Sequence, residues 1–312
     1  MSVSNTNSTR EAYGRTFSTL HESYILPVDR TEHKRLDGQH ELIRLRYGGL
    51  YLRGDDVRRV LAPRPGYIPK VLDIGTGSGI WAVEMAYEFP DAQVLGIDIV
   101  QPKPSMPPPP NCQFKLHDAN RGFDELDMSF DLVNIRCAHQ AMTSQTDLVA
   151  SIVKILRPGG LFLSLEGSPD VFDEVTGLIT AEQEEEPGFS WTAKLLSTFV
   201  QLCLRRNPSS IDVPNMPIWL KKMDCWEEAG GGRVRFPVGS WEQDEREKEI
   251  GKMMLDGTIE FINLGVRPTM ESGGYPSDIV DTLIENTFKE IKEQQRHLYF
   301  EWPCAWAIKK RV

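Results

Sequence analysis

The chain has 312 residues, a formal net charge of −10 and a pI near 5.2. Hydrophobic residues make up 40% and charged residues 26%, as in an ordinary globular protein. The acidic balance argues against nucleic acid as a partner, because nucleic-acid binders need a basic surface to neutralise phosphates.

Cysteine spacing and the N-terminus indicate the compartment. The five cysteines are widely spaced and form no CxxC pair, which predicts reduced thiols and argues against a metal site. The polar N-terminus lacks the apolar core of a secretory signal, and no stretch approaches the roughly 18 apolar residues of a membrane span. We therefore expect a cytoplasmic protein without a membrane partner, with nuclear entry left open.

The N-terminal part divides into two predicted segments. Residues 1–20 are rich in Ser, Thr and Asn, a composition typical of disorder. From Tyr24 to Tyr51 apolar residues recur at helical spacing, which predicts helices over 21–66, ended by a Pro- and Gly-rich turn at 62–66.

A βαβ unit follows. Lys70–Ile74 is a short apolar strand, residues 75–79 (GTGSG) form a glycine-rich turn, and an apolar helix from Ile80 to Phe89 ends at Pro90. A second strand is predicted at Gln93–Ile99. Two strands joined in this way are parallel neighbours with a right-handed crossover.

The stretch 101–110 (QPKPSMPPPP) cannot be helical, because it contains four consecutive prolines. It is either a polyproline ligand for a partner domain or a stiff connector. The connector is favoured, because a third strand at Cys112–Leu116 begins at once.

Strands and helices continue to alternate up to residue 166. A strand is predicted at Phe130–Ile135, a helix at Thr146–Leu156 and a strand at Leu161–Leu165. This alternation predicts a mostly parallel, doubly wound sheet as the core, over 67–166.

Beyond this core the alternation stops. The acidic run Glu182–Glu186 is interpreted as solvated surface. A helix is predicted from about Trp191 to Arg206 and a shorter one ending at Gly230. These elements predict a helical cap over residues 167–230 that contains the substrate region.

The C-terminal part, 231–312, is predicted to return to the core sheet. A strand is expected at Val234–Val238 and a final aromatic-rich strand at Tyr299–Ile308. Between them an amphipathic helix is predicted at Ile279–Phe288, with Ser277 as its N-cap.

The glycine-rich turn restricts the choice of ligand. A dinucleotide fingerprint would place its third glycine where Ile80 stands, and a P-loop would end in Gly-Lys-Ser/Thr, which is not present. Asp73 lies two positions before the first glycine and suits a positively charged group. The turn therefore favours a ligand without phosphate, such as S-adenosylmethionine, a sulfonium amino acid that carries an adenosine.

Two carboxylates follow the next strands. Asp98 can accept hydrogen bonds from ribose hydroxyls, and Asp118 from the adenine amino group, with Ile99 and Ala119 on either side of the ring. Each aspartate could instead be a turn or cap residue. Binding is favoured, because open α/β sheets bind ligands at the carboxyl ends of their strands.

These motifs together resemble a known family. The run VLDIGTGSGIWAVEMAYEFPDAQVLGIDI is similar to class I S-adenosylmethionine-dependent methyltransferases, and within them to the LaeA-like fungal group. YILPVDRTEHKRLDGQH, NCQFKLHDAN, FDLVNIRCA, ILRPGG, PVGSWEQDEREKEIG and YFEWPCAWAIKK resemble other parts of that group. The resemblance covers most of residues 24–310 and is weakest over 170–225.

The resemblance implies an α/β, Rossmann-like fold with a seven-stranded sheet whose last strand is inserted antiparallel. It implies that the N-terminal helices form a lid over the cofactor, S-adenosyl-L-methionine. It also implies site residues by position. The cofactor's methionine part would contact Gly75, Thr76, Gly77 and Gly79, its ribose Asp98, its adenine Asp118, its methyl exit Arg136, and its upper side Tyr24, Arg35, Gln39 and His40.

Methyl transfer is an in-line displacement, and an alcohol or phenol acceptor benefits from a general base. His139 is the first candidate base, with a packing role as the alternative. Arg136 could hold a substrate carboxylate or form a structural ion pair. Trp191, Trp219 and Trp241 could wall an acceptor pocket, although a core position is favoured for them.

Three functions remain open at this level. The favoured one is O-methylation of a small-molecule acceptor of secondary metabolism. The others are a LaeA-like regulator that acts through partners and a non-methylating enzyme on the same fold. The acceptor is not identified, and a homodimer stays open.

Overall fold

The computed structural model describes residues 9–12, 14–19, 26–126, 129–206 and 213–311. Those residues form eleven strands and nine α-helices. The strands are β1 (Thr9–Ala12), β2 (Arg15–Ser18), β3 (Lys70–Ile74), β4 (Gln93–Asp98), β5 (Cys112–Leu116), β6 (Phe130–Arg136), β7 (Leu156–Leu165), β8 (Val171–Asp173), β9 (Gly177–Leu178), β10 (Trp226–Pro237) and β11 (Leu298–Lys309). The helices are α1 (Arg30–Tyr47), α2 (Gly54–Leu61), α3 (Ile80–Glu88), α4 (Gln145–Ile155), α5 (Trp191–Arg206), α6 (Met216–Leu220), α7 (Glu245–Phe261), α8 (Arg267–Ser272) and α9 (Ser277–Glu293).

One mixed sheet contains nine of the strands. β5, β4, β3, β6 and β7 lie side by side and parallel, and β11 follows antiparallel to β7. β11 pairs along its other edge with β10, so Trp306 faces Leu163 on one side and Gly230 on the other. The predicted seven-stranded sheet with an antiparallel last strand is confirmed, and β8 and β9 extend it beyond the end of β7.

Both faces of the central strands are covered. Leu72 and Val133 pack on the side of α4, whereas Val71 and Leu132 pack on the side of α2 and α3. All four side chains are fully buried. Burial on both faces explains why these strands are continuous apolar runs in the sequence.

Helix α1 covers the carboxyl end of the sheet. It begins at the N-cap Asp29, whose carboxylate accepts from the Glu32 N–H at 2.9 Å, and ends at Gly48 in the left-handed conformation. Its last turn is bound to α7 by the Arg46–Glu247 ion pair, at 2.6 Å. In the described ranges, no helix has the length and apolar character that crossing a membrane requires.

The N-terminal tail is the first correction. Residues 9–12 and 15–18, predicted to be disordered, pair as an antiparallel hairpin. Arg15 fixes this hairpin by donating to Asp29 at 2.6 Å and to the Leu264 carbonyl at 2.6 Å. Composition could not reveal this contact, because its partners lie far along the chain. The remaining residues of 1–20 lie outside the described ranges.

The C-terminal half contains further corrections. The predicted helix ending at Gly230 is wrong, because Trp226–Pro237 is one long strand that runs antiparallel to β11. Ser277 is the first residue of α9, and Pro276 occupies the N-cap position. The helices α7 and α8, joined by a π-helical turn at Ile262–Val266, were not predicted.

The predicted cap is also divided. Its first half contains α5, but Met216, Leu220 and Trp226 in its second half pack into the core on the α4 side of the sheet. Helix α7 lies against α1 instead. The cover above the carboxyl end of the sheet therefore comes from α1, α5 and α7.

Two neighbouring glycines of β10 provide a matched test of this packing. A Cβ on Gly231 would lie 2.2 Å from the Cys304 carbonyl oxygen and 2.5 Å from Pro217 Cγ, whereas a Cβ on Gly232 would meet nothing within 4 Å. We expect Gly231→Ala to lower the free energy of unfolding by about 1–3 kcal/mol, because the paired backbone of β11 cannot easily move aside. Gly232→Ala should change it by less than about 0.5 kcal/mol. Urea denaturation measures both, and equal effects would contradict the register of β10 on β11.

Candidate active site

The glycine-rich turn between β3 and α3 opens a cavity at the carboxyl end of the sheet. Gly75, Gly77 and Gly79 have φ angles of +64°, +60° and +90°, a conformation that favours glycine. A Cβ on Gly75 would lie 2.5 Å from Ala138 Cβ, and one on Gly77 would lie 2.9 Å from Leu36 Cδ1. The turn therefore lets both the loop after β6 and helix α1 approach the backbone closely.

Asp73 holds the turn from below. Its buried carboxylate accepts from Thr76 Oγ1 at 2.6 Å and from Asn134 Nδ2 at 2.8 Å. Burial raises the pKa of Asp73 above its usual value. The Thr76 N–H donates to the Ile97 carbonyl at 3.0 Å, so the turn is fixed to both neighbouring strands.

Two carboxylates, at or just after the carboxyl ends of β4 and β5, line the same cavity. Asp98 accepts from the N–H groups of Gly77 at 2.8 Å and Val100 at 3.1 Å, and burial raises its pKa to about 6. Asp118 caps a short 3₁₀ turn by accepting from the Asn120 N–H at 3.0 Å. Both residues thus act as turn residues, and both line the cavity. Ile99 and Ala119 lie in the same wall.

Arg136 lies at the base of the cavity with unused hydrogen-bonding capacity. Its Nη2 donates to Nδ1 of His40 at 3.1 Å, and its guanidinium lies over the Trp81 ring, 5.4 Å from the centroid. Its Nε and Nη1 are buried and have no hydrogen-bond partner among the described residues. A buried cation with two unpaired donors fits an anionic group of a ligand.

A second cavity of about 450 Å³ adjoins the first. α1, α5, α7, β11 and the segments that follow β6 and β7 surround it. Most of its wall is apolar, including Leu42, Leu196, Phe199, Phe261 and Trp302. Its size and lining are typical of a site for a small organic molecule.

The two cavities meet at a short boundary. Leu36, Gln39 and Cys137 line both of them. Cys137 has a φ of +52°, which is unusual for a residue with a side chain and marks a strained turn directly after β6. The two cavities therefore adjoin at α1 and at the turn that follows β6.

Comparison with known proteins identifies the family. Residues 71–160 match the methyltransferase-domain family. The methyltransferase pytC of Aspergillus terreus is 30% identical over 301 residues, which are 95% of this chain and 87% of that protein. The chain belongs to the class I S-adenosylmethionine-dependent methyltransferases. The predicted LaeA-like group, the enzyme class and the cofactor, S-adenosyl-L-methionine, are confirmed.

Other relatives of this methyltransferase carry a different description. The secondary metabolism regulator laeA of Coprinopsis cinerea is 25% identical, over 96% of this chain and 73% of that protein. Among solved structures, phosphoethanolamine N-methyltransferase 2 of Haemonchus contortus, in complex with S-adenosyl-L-methionine, is 17% identical with a TM-score of 0.45. That alignment covers 91% of this methyltransferase and only 59% of the other chain.

His139 does not have the position that a general base of this methyltransferase needs. It is fully buried, with Nδ1 at 2.7 Å from Gln145 Oε1 and Nε2 at 2.8 Å from Ser164 Oγ. Burial lowers the pKa of His139 to about 4. With both ring nitrogens occupied, and with the ring in the wall of neither cavity, the imidazole fixes the loop after β6 instead of facing an acceptor.

The other predicted residues lie in four different places. Gln39 and His40 line the first cavity, whereas Arg35 lines the second and is paired with Glu32 at 2.6 Å. Gly79 lies behind the turn, where a Cβ would meet Phe114 at 2.7 Å. Tyr24 lies outside the described residues.

The three tryptophans considered as pocket walls are packing residues, which is the role that the sequence analysis favoured. Trp191 and Trp219 pack against core clusters, and Trp241 stacks on His297 with the ring centroids 4.6 Å apart. The aromatic wall of the second cavity includes Trp302 and Phe261 instead. Glu166 was also missed. It directly follows β7 and lines the second cavity, and its position at the carboxyl edge of the sheet is the signal that could have identified it.

Gly75→Ala tests the role of the turn. The added Cβ would lie 2.5 Å from Ala138 Cβ in a backbone with φ +64°. We expect affinity for S-adenosylmethionine to fall about tenfold or more, because strain and displacement of the loop distort the cavity. Gly66→Ala is the control, since Gly66 also has a positive φ (+71°) but has nothing within 4 Å and precedes β3. Calorimetry should show its affinity within about twofold of wild type, and equal losses would contradict the assignment.

Proposed function

We propose that this methyltransferase transfers the methyl group of S-adenosylmethionine to a hydroxyl oxygen of a small, largely apolar acceptor of secondary metabolism. The observation that carries the proposal is the pair of adjoining cavities with a shared boundary at Leu36, Gln39 and Cys137. The first would hold the cofactor and the second the acceptor. S-adenosylmethionine supplies an electrophilic methyl group on a sulfonium, and the protein's task is alignment of the acceptor oxygen with it.

The chemistry of the first cavity supports an arrangement for the cofactor. Asp98 would accept from the ribose hydroxyls and Asp118 from the adenine amino group, with Ile99 and Ala119 against the ring. The unpaired Nε and Nη1 of Arg136 would bind the carboxylate of the methionine part. Arg136 is thus a cofactor ligand in this proposal, which replaces the alternative of a substrate-carboxylate site.

Arg136→Met tests this arrangement with two ligands. S-adenosylhomocysteine carries the carboxylate, and 5′-methylthioadenosine does not. We expect Arg136→Met to lower the affinity for S-adenosylhomocysteine about 10- to 100-fold, as for loss of a hydrogen bond to a charged group. The affinity for 5′-methylthioadenosine should fall by less than about threefold. Asp98→Asn should weaken both ligands. Equal losses for the two ligands in Arg136→Met, measured by calorimetry, would contradict a carboxylate contact.

The second cavity supports a small apolar acceptor, and the name of the relative pytC is consistent with a dedicated methyltransferase. The alternative is a regulator of secondary metabolism that acts through partner proteins. The relatives described as secondary metabolism regulators favour this alternative, since laeA of Coprinopsis cinerea matches 96% of the chain and LAE1 of Gibberella fujikuroi matches 88%. Both functions use the same cofactor, so only the fate of the methyl group distinguishes them.

The decisive experiment follows a labelled methyl group. Purified protein is incubated with methyl-labelled S-adenosylmethionine and with 2-naphthol or 2-naphthylamine, two apolar probes that differ only in the nucleophile. Label on the naphthol oxygen supports the proposal. Label on the amine alone would replace O-methylation with N-methylation. Cofactor binding without transfer to either probe, together with a stable protein partner, would favour the regulator.

Gly257→Phe tests whether the acceptor occupies the second cavity. Gly257 lies on α7 in the cavity wall, and a Cβ there would meet nothing within 4 Å. A phenyl ring has room to enter the cavity, so transfer to 2-naphthol should fall about tenfold or more while affinity for the cofactor stays constant. Gly257→Ala is the matched control and should retain most of the activity. Unchanged transfer in Gly257→Phe would place the acceptor elsewhere.

A further inference from the structure

Glu166 is a buried carboxylate whose position the fold alone does not explain. It directly follows β7 and is 8% exposed. Oε2 accepts from the His139 N–H at 2.7 Å, and Oε1 accepts from the Gly167 N–H at 3.0 Å. Within the described ranges no cationic side chain forms an ion pair with it. An acid buried without a countercharge lowers stability, so its presence suggests a function.

Glu166 lines the second cavity close to the boundary with the first. Glu166 follows β7, and β7 pairs with β6. Cys137 follows β6 and lines both cavities. The Cys137 N–H donates to the Leu165 carbonyl at 2.9 Å, so the two strand ends are joined directly before the carboxylate. The acid therefore lies in the acceptor cavity, on the side where a methyl group would enter.

The loop after β6 is built to hold this carboxylate. The His139 ring is fixed by Gln145 and Ser164, and Gln145 Nε2 also donates to the His139 carbonyl at 2.8 Å. The positive φ of Cys137 turns the chain so that the His139 N–H points at Glu166. The histidine ring thus supports the loop, and its backbone amide orients the acid.

We propose that Glu166 is the general base of the reaction, a role that rests on the proposed O-methylation. As the acceptor oxygen attacks the methyl carbon, its O–H bond breaks and the proton moves to the Glu166 carboxylate. A C–O bond forms while the carbon–sulfur bond breaks, and that electron pair stays on sulfur as a neutral thioether. Glu166 then releases the proton to water.

The other ionisable groups of the cavity suit this role less well. Arg35 is a cation paired with Glu32, and Asp256 and Glu260 are exposed on α7. Burial raises the pKa of the Cys137 thiol to about 12, so it stays neutral. Burial raises the pKa of Glu166 to about 7, which suits a base that works near neutral pH. Since only the ionised acid accepts a proton, kcat/KM should rise with pH through this pKa.

Two phenol probes separate a base from a structural residue. 2-Naphthol must lose a proton during transfer, whereas the more acidic 1-nitro-2-naphthol is already ionised near neutral pH. We expect Glu166→Gln to lower kcat for 2-naphthol about 100-fold or more. The fall in kcat for the nitro compound should be much smaller in this variant. The rise of kcat/KM with pH through the pKa of Glu166 should disappear. Affinity for S-adenosylhomocysteine should stay constant, and Glu184→Gln, an exposed residue of the acidic run, should behave as wild type.

The outcomes distinguish failure of the general-base role from failure of O-methylation itself. Wild-type kcat with 2-naphthol in Glu166→Gln, or equal fold-losses for both probes, would overturn the general base. If Glu166→Gln lowers the melting temperature strongly, Glu166→Asp, which keeps the charge and withdraws it by one methylene, is tested with the same contrast. If wild type binds the cofactor but methylates neither phenol, O-methylation itself is overturned, and that failure is visible before any variant is made.

Discussion

The close approach of α1 to the glycine-rich turn determines the rest of the site. Leu36 of α1 reaches the position where a side chain on Gly77 would lie, at 2.9 Å from an ideal Cβ. Because no Cβ separates them, the helix covers the first cavity directly and also forms a wall of the second. The Asp29 cap, the Arg15 contacts and the Arg46–Glu247 pair fix the helix in this position. The carboxyl end of the sheet is therefore covered, and two adjoining cavities lie beneath this cover.

The sequence predicted the elements whose signal is local. The strands Lys70–Ile74 and Cys112–Leu116 and the helix Trp191–Arg206 have the predicted bounds, since apolar runs and helical periodicity are properties of the segment itself. Only the end of β10 was predicted, by the strand expected at Val234–Val238, and its first part was missed because three consecutive glycines carry no strand pattern. Its conformation comes from pairing with β11, some 70 residues later. The N-terminal hairpin was missed because its polar composition is typical of disorder, whereas the Arg15 contacts that fix it lie outside the segment.

The two cavities also differ in how far the sequence could predict their residues. The first cavity lies on turns directly after strands, so residue type and position were enough to select Asp98, Asp118, Gly75 and Gly77, which line it. The second cavity combines residues from α1, α5, α7, β11 and the segments that follow β6 and β7, which only the tertiary structure brings together. At this edge of the sheet, the sequence analysis selected only His139, in the loop after β6, as a candidate base. It could not show that the imidazole points into the core toward Gln145 and Ser164 while Glu166 faces the cavity.

The shared helix α1 also has a thermodynamic consequence. Leu36 and Gln39 contribute to both cavities, so a displacement of α1 caused by one ligand changes the wall that the other ligand meets. Linkage then requires that each ligand alter the affinity of the other by the same factor. Cofactor and acceptor would not bind as independent events, and the cofactor's methylated and demethylated forms could hold the acceptor with different strength. Release of the product would then depend on the chemical state of the cofactor that remains bound beside it.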